Sequence, residues 1–154
     1  MLRGIVVIEG SPKKMKGLFS NFVKAELQQI VRDWHRKILP RHFQADAHKR
    51  YNYAPRTEKY LRYKKKKHPE ANDLVWSGES RRMLERSIRV SGTKRRAAGT
   101  MQAPRYFWMT SPNHPRMGEE LTAVTQQETL EMAKKLNERV TKKLNMIKAT
   151  EVIR

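Results

Sequence analysis

The chain has 154 residues, 38% hydrophobic and 32% charged, enough for the core of one domain and a large solvated or partner-facing surface. With 34 Lys and Arg against 15 Asp and Glu the formal charge is +19, so nucleic acid is the first partner class, an acidic protein surface the second and a membrane the third. The absence of cysteine excludes a disulfide framework and a thiolate zinc site, and no stretch approaches the roughly 18 apolar residues of a membrane span.

Leu2 to Ile8 reads as a first strand, rich in β-branched residues, and its apolar run at Ile5 to Ile8 is too short for a signal peptide. A turn follows at Glu9 to Lys16 around Gly10, Ser11 and Pro12. Leu18, Phe19, Phe22, Val23, Leu27, Ile30, Val31, Trp34 and Ile38 then recur at helical spacing, predicting a long amphipathic helix that Pro40 stops. Arg41 to Ala54 has no sustained period and reads as an extended, aromatic-anchored excursion. Pro55 suits the first position of a second helix through Glu58, Tyr60, Leu61 and Tyr63, ending in Lys64 to Lys67. His68, Pro69 and Asn72 make a loop. The basic, aromatic excursion thus covers about residues 41–73.

Leu74 to Gly92 reads as a strand, a Ser77-Gly78 turn, a short helix over Glu79 to Arg86 and a second strand from Ser87 to Val90. Thr93 to Arg96 is a basic hairpin turn, and Ala97 to Met101 returns as a strand. Tyr106 to Met109 is a further apolar run, Ser111 to Pro115 a loop, and Glu120 to Val124 a short strand. Thr125 and Glu128 have the spacing of a capping box. The helix after it carries Leu130, Ala133, Leu136, Val140, Leu144 and Ile147 on one stripe. The order predicts an α+β fold in a single domain spanning 1–154: a small, mostly antiparallel sheet of three to five strands against a long N-terminal and a long C-terminal helix.

The chemistry-bearing residues point to binding. Lys64, Lys65, Lys66 and Lys67 form a diffuse positive field, suited either to an anionic partner or to a helix C-terminus, where cations offset the dipole. Arg81, Arg82, Arg86, Arg89, Lys94, Arg95 and Arg96 form a second cluster around the hairpin tip, suited to pairing with carboxylate or phosphate. Tyr51, Tyr53, Tyr60 and Tyr63 interleave with basic residues and could stack bases, but packing in the core or between subunits is the favoured reading. Trp34, Trp76 and Trp108 are expected in the core. His35, His42, His48, His68 and His114 show no metal-ligand spacing. There is no P-loop, no dinucleotide fingerprint and no G-x-S-x-G elbow, so no catalytic residue, metal, cofactor or small-molecule substrate is expected.

Ser77, Gly78, Leu84, Ser87 and Ile88 resemble the TG-x-L-x-x-S-I region of tailed-phage neck proteins, the head–tail joining or tail-completion family and the related morphogenesis proteins of Mu-like phages. Here Ser replaces Thr, and Ser80 to Met83 are extra residues between Gly and Leu. The order of elements over most of the chain is also similar. The resemblance implies a non-enzymatic structural subunit of the virion, present in the host cytoplasm during assembly. It implies a ring of copies at the head–tail interface, in which the residues 41–54, the lysine run and the Lys94 to Arg96 tip would dock to adjacent subunits, to portal, adaptor or tail proteins with acidic surfaces, or beside the DNA path. The rival readings are a nucleic-acid-binding protein of ribosomal or nucleoid type and, third, a small packaging nuclease.

Overall fold

A computed structural model describes residues 3–9, 18–86, 88–109 and 116–152, with side chains over 20–86, 88–109 and 116–145. The apolar spacing after residue 17 forms one helix, α1 (Leu18–Lys37). Val23, Leu27, Ile30, Val31 and Trp34 are buried along it, while Phe22 is half-buried beneath the Lys143 ammonium. The Leu18 and Phe19 side chains, Ser87, the loop expected at Ser111 to Pro115 and, beyond Glu9, the turn expected at Glu9 to Lys16 lie outside the described residues.

Pro40 ends α1, but the chain does not then become extended. Leu39–Phe43 is a 3-10 turn with Pro40 in its first positions, and a short helix, α2 (Ala47–Tyr51), follows. Leu39, His42, Phe43, Ala47 and Tyr51 are all buried. The expected excursion is therefore not extended over residues 39–51: a turn and a short helix send these five side chains into the core. Burying rings such as Phe43 gains about 1.5–3 kcal/mol each, which draws an aperiodic aromatic segment inward. Helix α3 (Glu58–Lys67) begins later than Pro55 suggests, because the Thr57 hydroxyl caps it by accepting from the Tyr60 N–H at 3.3 Å.

Leu74 and Val75 are buried but not in a strand. Asn72 and Val75 exchange backbone hydrogen bonds at 3.0 and 3.3 Å, closing a tight bend. Gly78 takes a left-handed φ of 79° and turns the chain into α4 (Glu79–Arg86), which His35 ties to α1 through the Leu84 carbonyl at 2.8 Å. The hairpin is present: β2 (Ile88–Gly92) pairs antiparallel with β3 (Arg96–Gln102). The first strand, β1 (Arg3–Glu9), pairs with the other edge of β3, giving the order β1-β3-β2.

The expectation of up to five strands is too many. Arg105–Trp108 is a 3-10 turn that sends Phe107 into the core, and Glu120 lies in α5 (Met117–Thr122) with Leu121 fully buried. Short apolar runs do not by themselves distinguish strand from buried turn or helix. The last helix, α6 (Gln126–Val152), opens on the expected capping box: the Glu128 carboxylate accepts from the Thr125 N–H and the Thr125 hydroxyl from the Glu128 N–H, both at 3.1 Å. Its buried stripe is offset from the expected one. Met132, Leu136 and Val140 face the core, whereas Leu130 is 64% exposed. Arg139 and Lys143, reaching Asp33 and Glu26 on α1, set that rotation. Helix α1 thus lies on the β2–β3 hairpin with α6 packed on it.

Gly118 makes a further close approach. A Cβ there would lie 2.2 Å from the Trp108 ring, so Gly118→Ala must displace an indole wedged between a turn and α5. The expected loss is about 1–3 kcal/mol by urea denaturation. A neutral substitution would mean that Trp108 does not close over α5.

Candidate functional site

The candidate cations separate into three environments. Lys65, Lys66 and Lys67 are exposed at the C-terminus of α3, where they also offset the helix dipole. Lys64 is a correction: it is buried, not solvated. Its ammonium donates to the Asn72 carbonyl at 2.5 Å and lies 5.3 and 5.8 Å from the rings of Tyr60 and Trp76. Helical geometry turns Lys64 inward while the next three residues point elsewhere. Burial, with the Arg56 charge nearby, lowers its pKa to about 8 against the opposing pull of Asp73.

The arginine cluster runs from α4 to the hairpin tip. Arg82, Arg86, Arg89, Lys94, Arg95 and Arg96 are exposed. Arg81 is partly engaged, donating to Glu85 at 2.9 Å with its guanidinium 5.8 Å from the Phe43 ring. On β2, Ile88 and Val90 pack toward α1 and Arg89 is on the outer face. The tip is closed by the Thr93 N–H donating to the Arg96 carbonyl at 2.6 Å and by the Thr93 hydroxyl accepting from the Arg95 N–H at 3.3 Å.

Many of the acidic groups, by contrast, are consumed by the fold. Asp33 and Glu26 hold Arg139 and Lys143. Glu128 accepts from Arg41 and Tyr51, each at 3.0 Å. Burial alone would raise the Glu128 carboxyl, but the hydrogen bonds from Thr125, Tyr51 and Arg41 outweigh it and hold the pKa below 4.5. Asp73 is buried, 3.0 Å from a His48 ring nitrogen. Arg56 and Glu120 form a two-pronged pair at 2.5 and 3.0 Å, with side chains only 9% and 10% exposed.

That pair stands in a groove of about 1250 Å³ between α3, the 73–80 segment and α5. Sequence reasoning missed this groove. Its aromatic wall is Tyr53, Tyr60, Trp76 and Tyr106. Tyr106 shares a hydrogen bond with Ser80, which fixes the wall at the start of α4. Tyr60 and Tyr63 do not anchor α3 on the sheet as a core reading requires; they are 44% and 54% exposed. Trp76 and Trp108 are half-buried, and only Trp34 of the three tryptophans is fully buried. Thr57, an evident cap residue, was the one local signal of where α3 and the groove wall begin. Among the described residues no cluster of three or more His, Asp or Glu could hold a metal ion, and no helix is long and apolar enough to cross a membrane. The arrangement can bind charged, planar or extended partners. Compared with known proteins, the chain matches no family model, no curated protein and no solved structure.

Proposed function

We propose that the chain is a structural subunit of a tailed-phage neck, forming a ring that joins the head or portal side to the tail by protein–protein binding. The observation that carries the reading is the division of charge. Internal ion pairs hold Asp33, Glu26, Glu128 and Glu120, while α4 and the hairpin tip carry an exposed basic surface. A rigid hairpin with a closed basic tip suits docking to acidic virion proteins or beside the DNA path. The acting residues are Arg82, Lys94, Arg95 and Arg96, with Lys65 to Lys67 as a second contact. In this reading the subunit is made in the host cytoplasm and ends in the virion.

One observation favours a second reading, nucleic-acid binding. Tyr60 and Tyr63 expose rings on the same helix as the lysine run, a combination that stacks bases and neutralises phosphates. A filter-binding titration of the isolated chain across salt, with a magnesium cleavage control for nuclease activity, separates the readings. The neck subunit is expected to bind DNA and RNA only in the non-specific range, Kd about 10⁻⁴–10⁻⁶ M at physiological salt. Nanomolar binding of either by the monomer would replace the neck reading with the second one.

A further inference from the structure

We propose that the groove between α3 and α5 receives the Lys94 to Arg96 hairpin tip of a second copy of the chain, so that copies join head to tail. This rests on the ring reading above and names its contact.

Charge is the first argument. Asp73, Glu79, Glu119 and Glu120 line the groove against Arg56, Lys64 and Arg116, so three positive and four negative side chains leave it at −1 in a chain of +19, with Glu120 held by Arg56 and Glu119 by Arg116. In the whole chain only 15 of 49 charged side chains are acidic. Glu79, on the exposed first turn of α4, makes no ion pair among the described residues. Recognition chemistry is the second. The groove's rings already hold cations: Lys64 lies over Tyr60 and Trp76, and the Arg56 guanidinium lies 5.9 Å from the Tyr53 ring. Tyr106, 40% exposed, offers a further face to an incoming guanidinium such as that of Arg95.

Placement is the third argument. Helix α4, which borders the groove, leads into Ile88, and Ile88 pairs with Met101 at one end of the hairpin. The tip is at the other end, about 17 Å away along a five-residue strand. Among the described residues no hydrogen bond or ion pair joins Lys94 or Arg95 to a groove residue of the same chain, which leaves both for a neighbour. Donor and receptor patches on one subunit differ, so the contact is heterologous and closes into a ring when the rotation permits. Repulsion between copies at +19 does not forbid this. At physiological ionic strength charges beyond about 8 Å are largely screened, and the local match dominates.

The cysteine-free chain gives a clean test. Ser91→Cys, exposed beside the tip, and Ser77→Cys, exposed on the groove lining, are combined in one chain and treated with a short bis-maleimide crosslinker. A ladder of covalent oligomers is expected, with at most dimers from either single variant and a heterodimer when the two are mixed. In the same assay, adding Glu119→Lys to the double variant is expected to reduce the ladder at least tenfold, and adding Arg95→Glu likewise. Both changes are at exposed positions, and an unchanged urea midpoint confirms the fold. Absence of a ladder, or a ladder indifferent to those charge reversals, overturns the contact. If sedimentation still shows oligomers, the ring reading survives that failure. A charge-sensitive ladder in a chain that never enters a virion leaves the contact standing and removes the neck reading.

Discussion

Arg56→Ala is expected to cost about 3–5 kcal/mol in urea denaturation, more than the removal of any exposed cation of this fold. The reason is what it leaves behind. Glu120 has a side chain only 10% exposed, and Arg56 supplies both of its short hydrogen bonds. Burial disfavours the guanidinium charge, yet Glu120 more than compensates and the Arg56 pKa is raised. Removing either partner strands the other in a poorly solvated groove. Removing both as Arg56→Met with Glu120→Leu deletes the two desolvation penalties together and is expected to recover most of the loss. The singles also detach α5 from the segment before α3, so the groove should lose its shape with them. A single-variant loss under about 1 kcal/mol would mean that water screens the pair as it screens surface bridges.

The second large effect is with pH. His42 is fully buried and stacked on Tyr51, ring centroids 3.8 Å apart. Burial lowers its pKa from 6.5 to about 4, only partly opposed by the charge of Glu128. The unfolded chain therefore takes up a proton near pH 6.5 that the fold refuses until about pH 4. Stability is full above pH 6.5 and falls as the solution is acidified through that window. The loss should reach about 2 kcal/mol at pH 5 and about 3 kcal/mol near pH 4. Urea titrations at about pH 7.5 and 5 read the effect before most carboxylates protonate. His42→Phe keeps a ring against Tyr51 and should flatten the difference. A wild-type chain with no such slope, or a variant that retains it, would contradict the burial argument.

The elements with sustained period were readable in the sequence. The apolar positions of α1, the Thr125 and Glu128 box and the β2–β3 hairpin each carry a local rule that tertiary packing did not override. The misreadings fall where only three to five residues carried the signal. Leu74 to Trp76, Tyr106 to Met109 and Glu120 to Val124 all contain strand formers, but each is used as a bend, a turn or a helix because one or two of its side chains plug the core. The residues 41–51 lacked any period because a 3-10 turn and a five-residue helix show none.

The candidate surface was legible as charge, since Arg82, Lys94 and Arg95 are exposed as expected. The groove was not. Its central pair joins residues 64 positions apart, a spacing with no local signature. Lys64 was misjudged for the same reason: a run of four lysines hides the one whose ammonium finds carbonyl oxygens and rings.

Whether this chain joins head to tail by binding is decided in the assembling particle. If the neck proposal holds, the gene belongs to a phage, and the direct measurement is to delete it there and to image the lysate by electron microscopy. DNA-filled heads and complete tails that remain separate are expected, with joining restored by the wild-type chain and not by a Lys94→Glu, Arg95→Glu variant. Normally joined, infectious particles from the deletion would contradict the neck reading.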